Sequence, residues 1–255
     1  MDIKNNAGQS SFDLAYDSDD LYILILFYIQ RIKEIIKKIE IRSTQARYLM
    51  ERKMKNGGSF VVAALVQVGQ VYRLAKQEYL YPYILLLNIS AQISKARDVM
   101  QKIIIDFEKV LVSRKIEFSK FEAPVKEVYE VRIGNPLIGE IVNLIEQYDR
   151  LSLLLCLTNN LNLFRGEQHF YIAANKNSRR LLDIFKNCLG ISRKQTKMKS
   201  VSISQYLQKD PAYLEIKDAM GEIRPAVLFS ALNLAELPKL RAERRNIIFE
   251  QLRKL

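Results

Sequence analysis

Apolar residues recur along this 255-residue chain mostly every three or four positions, the spacing that puts them on one face of a helix. Ile25, Ile29, Ile32 and Ile36 follow it and predict a helix over about 21–37, capped by Asp19 or Asp20. Val61, Leu65, Val68 and Tyr72 predict another over 59–78. Leu86, Ile93, Val99 and Ile103 carry the pattern through 82–113, where Pro82 suits a first helical turn. Further helices are expected over 137–163, over 167–188 with Gly190 as its cap, from Pro211 towards Met220, and over 242–255. Pro225 and Pro238 divide the chain between the last two into short pieces.

The period changes in three places. In 38–44, Ile39 and Ile41 alternate with Lys38, Glu40 and Arg42, the repeat of a half-buried strand. Such a strand puts Lys38, Glu40, Arg42 and Thr44 on one face and Ile39, Ile41 and Ser43 on the other; the competing reading is that the preceding helix runs on. Alternation returns in 116–121 and in 129–133. Asn56-Gly57-Gly58 and Gly134-Asn135-Pro136 are turns. A strand and a turn precede a pair of helices twice, near Ile39 and near Val131. The expected fold is mainly α with one or two short β-strands: a flexible tail over 1–20, then a single domain over 21–255 with a polar, basic linker around 191–210.

Charge adds a partner to this picture. The chain carries a formal net charge of +12, self-repelling unless a polyanion neutralises it. The cations cluster. Arg31, Lys33, Lys37, Lys38, Arg42, Arg47, Arg52, Lys53 and Lys55 face only Glu34, Glu40 and Glu51 in the same stretch. Lys176, Arg179, Arg180, Lys186, Arg193, Lys194, Lys197 and Lys199 face Asp183 alone, and Arg241, Arg244, Arg245, Arg253 and Lys254 crowd the C-terminal stretch. Such clusters neutralise phosphates and set affinity without setting sequence preference. A solvated surface is the plainer alternative.

Enzyme chemistry finds no purchase in the sequence. There is no phosphate-binding loop, dinucleotide fingerprint or nucleophile elbow. His169 is the lone histidine, and it reads as a packed or capping residue. Cys156 and Cys188 have no metal-ligand spacing and suggest a reducing, cytoplasmic setting. The apolar run 21–29 is too short to span a bilayer. The expectation is a non-enzyme without metal or cofactor, with no membrane partner.

A β-ribbon fits the major groove of DNA, where arginine pairs with guanine and threonine touches a thymine methyl. The residues this assigns to DNA are Lys38, Glu40, Arg42, Thr44, Arg47, Arg52 and Lys53, with Lys194 and Lys197 as phosphate contacts. Ribbon readers draw one strand from each of two protomers, which predicts a homodimer; pairing of 38–44 with the stretch near Val131 in one chain is the alternative.

The run Ile41-Arg42-Ser43-Thr44-Gln45-Ala46-Arg47-Tyr48-Leu49 resembles the start of a protein family of integrating conjugative elements and related plasmids, which includes AcaB-like transcriptional activators. The likeness continues through Tyr81-Pro82-Tyr83 to Ala96-Arg97. It is most specific at Gly134-Asn135-Pro136-Leu137 and Gln147-Tyr148-Asp149-Arg150-Leu151. It spans roughly 39–240. Ser43, Thr44 and Gln45 stand where family members often carry histidine. The resemblance implies a DNA-binding activator, distantly similar to ribbon-helix-helix proteins. The expected partner is duplex DNA in a nucleoid-associated, cytoplasmic setting, with RNA polymerase as a further candidate.

Overall fold

Ile39 and Ile41 are sealed from solvent while Lys38 and Glu40 stay exposed, and this alternation makes Ile36–Ile41 a strand, β1. The computed structural model describes residues 36–116, 118, 123–163, 168–190 and 201–254. β1 pairs antiparallel with β2, Glu127–Arg132, in a register running from Ile36 opposite Arg132 to Ile41 opposite Glu127. Both strands belong to one chain, so this ribbon forms without a second protomer. Ile36 and Lys37 lie in the strand and not in the expected helix over 21–37, whose remaining positions fall outside the described residues. Their pairing with β2 overrides the three- and four-residue apolar spacing, as tertiary partners regularly override local pattern.

Most helix boundaries follow local chemistry. α1, Thr44–Glu51, starts where the Ser43 hydroxyl accepts from the Ala46 N–H at 3.1 Å. α2, Phe60–Lys76, is capped by Ser59 in the same way. α3, Leu80–Ser113, takes Pro82 into its first turn, where the missing N–H would have had no partner. α4, Pro136–Asn160, has Pro136 at its start and the Asn135 side chain accepting from the Ile138 N–H at 3.0 Å. α5, Gln168–Gly190, runs through Gly190. α6, Ile203–Leu207, opens on a reciprocal capping box of Ser202 and Gln205. α7, Pro211–Met220, stops at Gly221, whose φ of +93° suits glycine. α8 spans Pro225–Asn233 and α9 Ala242–Leu252.

Two expectations need correction. The stretch 201–210 is not linker. Val201 and Ile203 are fully buried, and backbone bonds from Leu80 N–H to Val201 carbonyl (3.0 Å) and from Ile203 N–H to Glu78 carbonyl (2.9 Å) tie it to the α2–α3 corner. Residues 191–200 lie outside the described residues. Of the third proposed strand, 116–121, only Ile116 and Phe118 are described and neither is in a strand; the Ile116 N–H instead closes the end of α3 on Leu111.

α3 is the axis of the molecule. It packs against α4, α2, α5 and α8, while α4 also carries the ribbon and α1. One continuous core joins these elements, from Ile39 and Ile41 through Met100, Ile104 and Ile141 to Leu228 and Ile248. The strand–helix–helix order occurs twice, β1–α1–α2 and β2–α4–α5, and the two strands close on each other.

Candidate nucleic-acid interface

The turn from β1 into α1 hangs on one buried carboxylate. Asp149 of α4 is 5% exposed, and its oxygens accept from the Arg42 N–H at 3.1 and 3.3 Å and from the Ser43 N–H at 2.7 Å. A buried carboxylate is costly unless such bonds satisfy it. The adjoining Tyr148 is buried as well, which raises its phenol above the ordinary range. Asp149 is thus an anchor for the corner from which α1 projects.

Of the residues expected to read bases from a strand over 38–44, only Lys38 and Glu40 lie on the solvent face of β1; the strand ends at Ile41, Arg42 follows it and Thr44 opens α1, and each of these residues has a partner within the chain. Lys38 lies 3.5 Å from Glu130 across the ribbon. The Arg42 guanidinium donates to the Ala123 carbonyl at 2.8 Å and to Glu40 at 2.7 Å. The Thr44 hydroxyl accepts from Lys126. Lys37, on the other face, bonds Asn143 and Glu146 of α4. A groove-reading ribbon would exchange these partly exposed contacts for contacts to DNA.

Cations without acidic partners lie one helix further on. α1 carries Arg47, paired with Glu51 at 3.4 Å, and Tyr48, which is 64% exposed with the Arg47 guanidinium 5.8 Å from its ring. Residues 52–59 then form a short hairpin. The Met54 N–H donates to Gly58 at 2.8 Å, the Phe60 N–H to Arg52 at 2.9 Å, and Lys53 bridges Ser59. Gly57, at φ +83°, makes the reversal that a side chain would strain. The hairpin presents Arg52, Lys53, Lys55, Asn56 and both glycines to solvent. Arg52 packs over the Phe60 ring at 5.6 Å. No ion pair links Arg52, Lys53, Lys55 or Arg73 to another described residue, and no carboxylate occurs between Glu51 and Glu78. Arg47, Arg52 and Lys53 were legible as candidates; Tyr48 was not singled out, and the gap in acidic residues from 52 to 77 is the signal that distinguishes this segment.

The other basic clusters divide. Arg244 bonds Glu78 at 3.0 Å as well as Ser204 and so ties α9 to the fold, while Arg245 lies over Phe249 within α9 itself. Lys186 pairs with Asp183. Arg31, Lys33, Lys194 and Lys197 lie outside the described residues, as does the His169 side chain. Burial pushes the Cys188 thiol up to about 12, so it stays protonated and unreactive at neutral pH. Among the described residues no group of histidine, cysteine and carboxylate side chains is arranged to hold a metal ion, and no helix is long and apolar enough to cross a membrane.

No family model matches the chain, and no curated protein does. Among solved structures, the fold is similar to the crystal structure of selenomethionine-containing AcaB from uropathogenic E. coli. The TM-score is 0.52 at 15% sequence identity, over 86% of this chain and 96% of that one.

Proposed function

We propose that this chain is a DNA-binding transcriptional regulator, an activator, of an integrative or conjugative element, and that α1 and the 52–59 hairpin meet the DNA. The reading is carried by the hairpin, a turn held by backbone bonds that offers Arg52, Lys53 and Lys55 with no ion pair to a described residue, while the neighbouring Glu51 is paired with Arg47. Phosphates favour such a surface because each neutralising cation releases condensed counterions. The net charge of +12 and the fold likeness to AcaB support the same direction. Binding needs no cofactor. Homodimerisation on a two-fold operator belongs to the proposal, with the ribbon complete in each copy.

A second reading has one observation in its favour. Val62 and Val66 stand outward on α2, 53% and 52% exposed, beside the unpaired cations of the hairpin, and an apolar spot next to positive charge suits an accessory protein of the conjugation machinery that meets an acidic protein partner. A gel shift with promoter DNA of the element over a salt series separates the two. Steep salt dependence with preference for one promoter supports the regulator, and no binding at low salt supports the accessory protein.

A further inference from the structure

An open groove of about 420 Å³ runs along the outward side of α3, lined by Asp98, Gln101, Lys102, Ile105, Asp106 and Lys109. Positions 98, 102, 105, 109 and 112 are spaced four and three residues apart in turn, the seam spacing of paired helices. Ile105 is 40% exposed and Val112 71%, so the seam leaves apolar surface in water. Asp98, Lys102, Asp106 and Lys109 form no ion pair with a described residue, although Lys102 stands one helical turn from each aspartate. The flanking charges are satisfied within the chain, Arg97 by Glu140 and Glu108 by Arg150.

Along the helix these four charges run acidic, basic, acidic, basic. Turned end for end, that order is its own complement. A second copy laid antiparallel sets Asp98 opposite Lys109 of the partner subunit. It brings Lys102 between Ile105 of the partner subunit and Asp106 of the partner subunit, and the two-fold axis repeats every pair. A parallel copy would set like charges together. DNA gains nothing from a face whose two cations are matched by two carboxylates. Two chains carrying +12 each repel one another, and they approach at least cost where the local charge is zero. We propose that this face of α3 is the contact through which two copies of the chain dimerise, helix against helix and antiparallel. The contact rests on the homodimer put forward above and is made without α1 or the 52–59 hairpin, which stay free for DNA.

Zero-length carbodiimide crosslinking of the full chain reads the register. Within one copy Asp98 and Lys109 stand about 16 Å apart along α3, too far for a direct amide, so an Asp98–Lys109 crosslinked product reports two copies. Sedimentation equilibrium reads the affinity. Asp98→Lys/Asp106→Lys and Lys102→Glu/Lys109→Glu are each expected to raise the dimer dissociation constant by about thirtyfold or more, since four exposed ion pairs are worth together about that much and like charges replace them. An equimolar mixture of the two variants is expected to dimerise as the wild type does, a rescue that general misfolding would not give. A wild-type chain that stays monomeric, dimers without the Asp98–Lys109 product, variants that dimerise like the wild type, or a mixture that stays monomeric overturn the proposal. Anisotropy with a promoter duplex is measured on the wild type alongside, so that a chain which dimerises through α3 but ignores DNA refutes the regulator and leaves the contact standing.

Discussion

Replacing Lys53 and Lys55 by alanine isolates the charge of the hairpin from its shape. Both side chains are exposed, and the turn is held by backbone bonds from Met54 to Gly58 and from Phe60 to Arg52, in which no lysine amine takes part. Circular dichroism and the urea midpoint are therefore expected to stay at the wild-type values. If each amine neutralises one phosphate, each contributes about 0.9 to the slope of log K against log salt. The double variant then binds duplex DNA with a slope shallower by about 1.8, and each lost contact weakens binding up to roughly eightfold at 0.1 M salt. The assay is fluorescence anisotropy with a promoter duplex and a scrambled duplex between 50 and 200 mM salt. Both duplexes lose equally, because phosphate contacts carry no sequence information. Lys239→Ala is the control. Lys239 follows Pro238, which receives the Tyr83 hydroxyl at the start of α3, so it lies the length of α2 away, about 25 Å. An unchanged slope in the double variant, or an equal change in the control, refutes the assignment.

The remaining expectations concern the scaffold. Asp149→Ala strips the acceptor from the Arg42 and Ser43 N–H groups and lowers unfolding stability by about 3 kcal/mol in urea titration, while Asp149→Asn, which keeps one acceptor oxygen, costs less. Arg42→Ala removes bonds to Ala123 and Glu40 and is expected to cost about 1 kcal/mol without altering the preferred DNA sequence, contrary to a base-reading arginine. Ile41→Ala opens a void under the ribbon and lowers stability by about 2–5 kcal/mol. Stability is expected to fall at alkaline pH. Tyr81 and Tyr206 are pushed up to about 12 chiefly by burial, from an ordinary value of 10.0. The folded state thus holds its phenol protons where the unfolded chain loses them. That contribution is complete below pH 10.0 and is lost as the pH rises towards 12, seen as a falling urea midpoint.

The sequence made the helices legible because their signals are local. Serine, asparagine and proline sit where caps and first turns need them, so the limits of α2, α4 and α7 agree with the periodicity to within a few residues. The β1 alternation was legible too, since a buried face two residues apart at Ile39 and Ile41 leaves a distinct pattern. What failed was long-range. Ile36 and Lys37 fit a helix by spacing, and only the partner strand ninety-odd residues later draws them into β1. Residues 201–210 look like linker by polarity, but Val201 and Ile203 find buried places against the α2–α3 corner, and Tyr206 packs on Tyr213 and bonds the Ile223 carbonyl. The candidate interface divides in the same manner. Clustered lysines and arginines are visible in the sequence, whereas which of them are engaged within the fold depends on Glu130, the Ala123 carbonyl and Glu78, residues far away in the chain. Of the conspicuous Tyr148-Asp149 pair, Asp149 serves the corner's architecture, a role that spacing alone does not reveal.

Lysine reactivity measured with and without promoter DNA addresses the central claim most directly. The full chain is acetylated briefly at low salt, free and DNA-bound, and each lysine is quantified by mass spectrometry. The account predicts strong protection of Lys53 and Lys55, with Lys239 reacting equally in both states. Protection of Lys38 and Lys126 on the ribbon with Lys53 and Lys55 unchanged, or no protection anywhere when DNA is saturating, would contradict it.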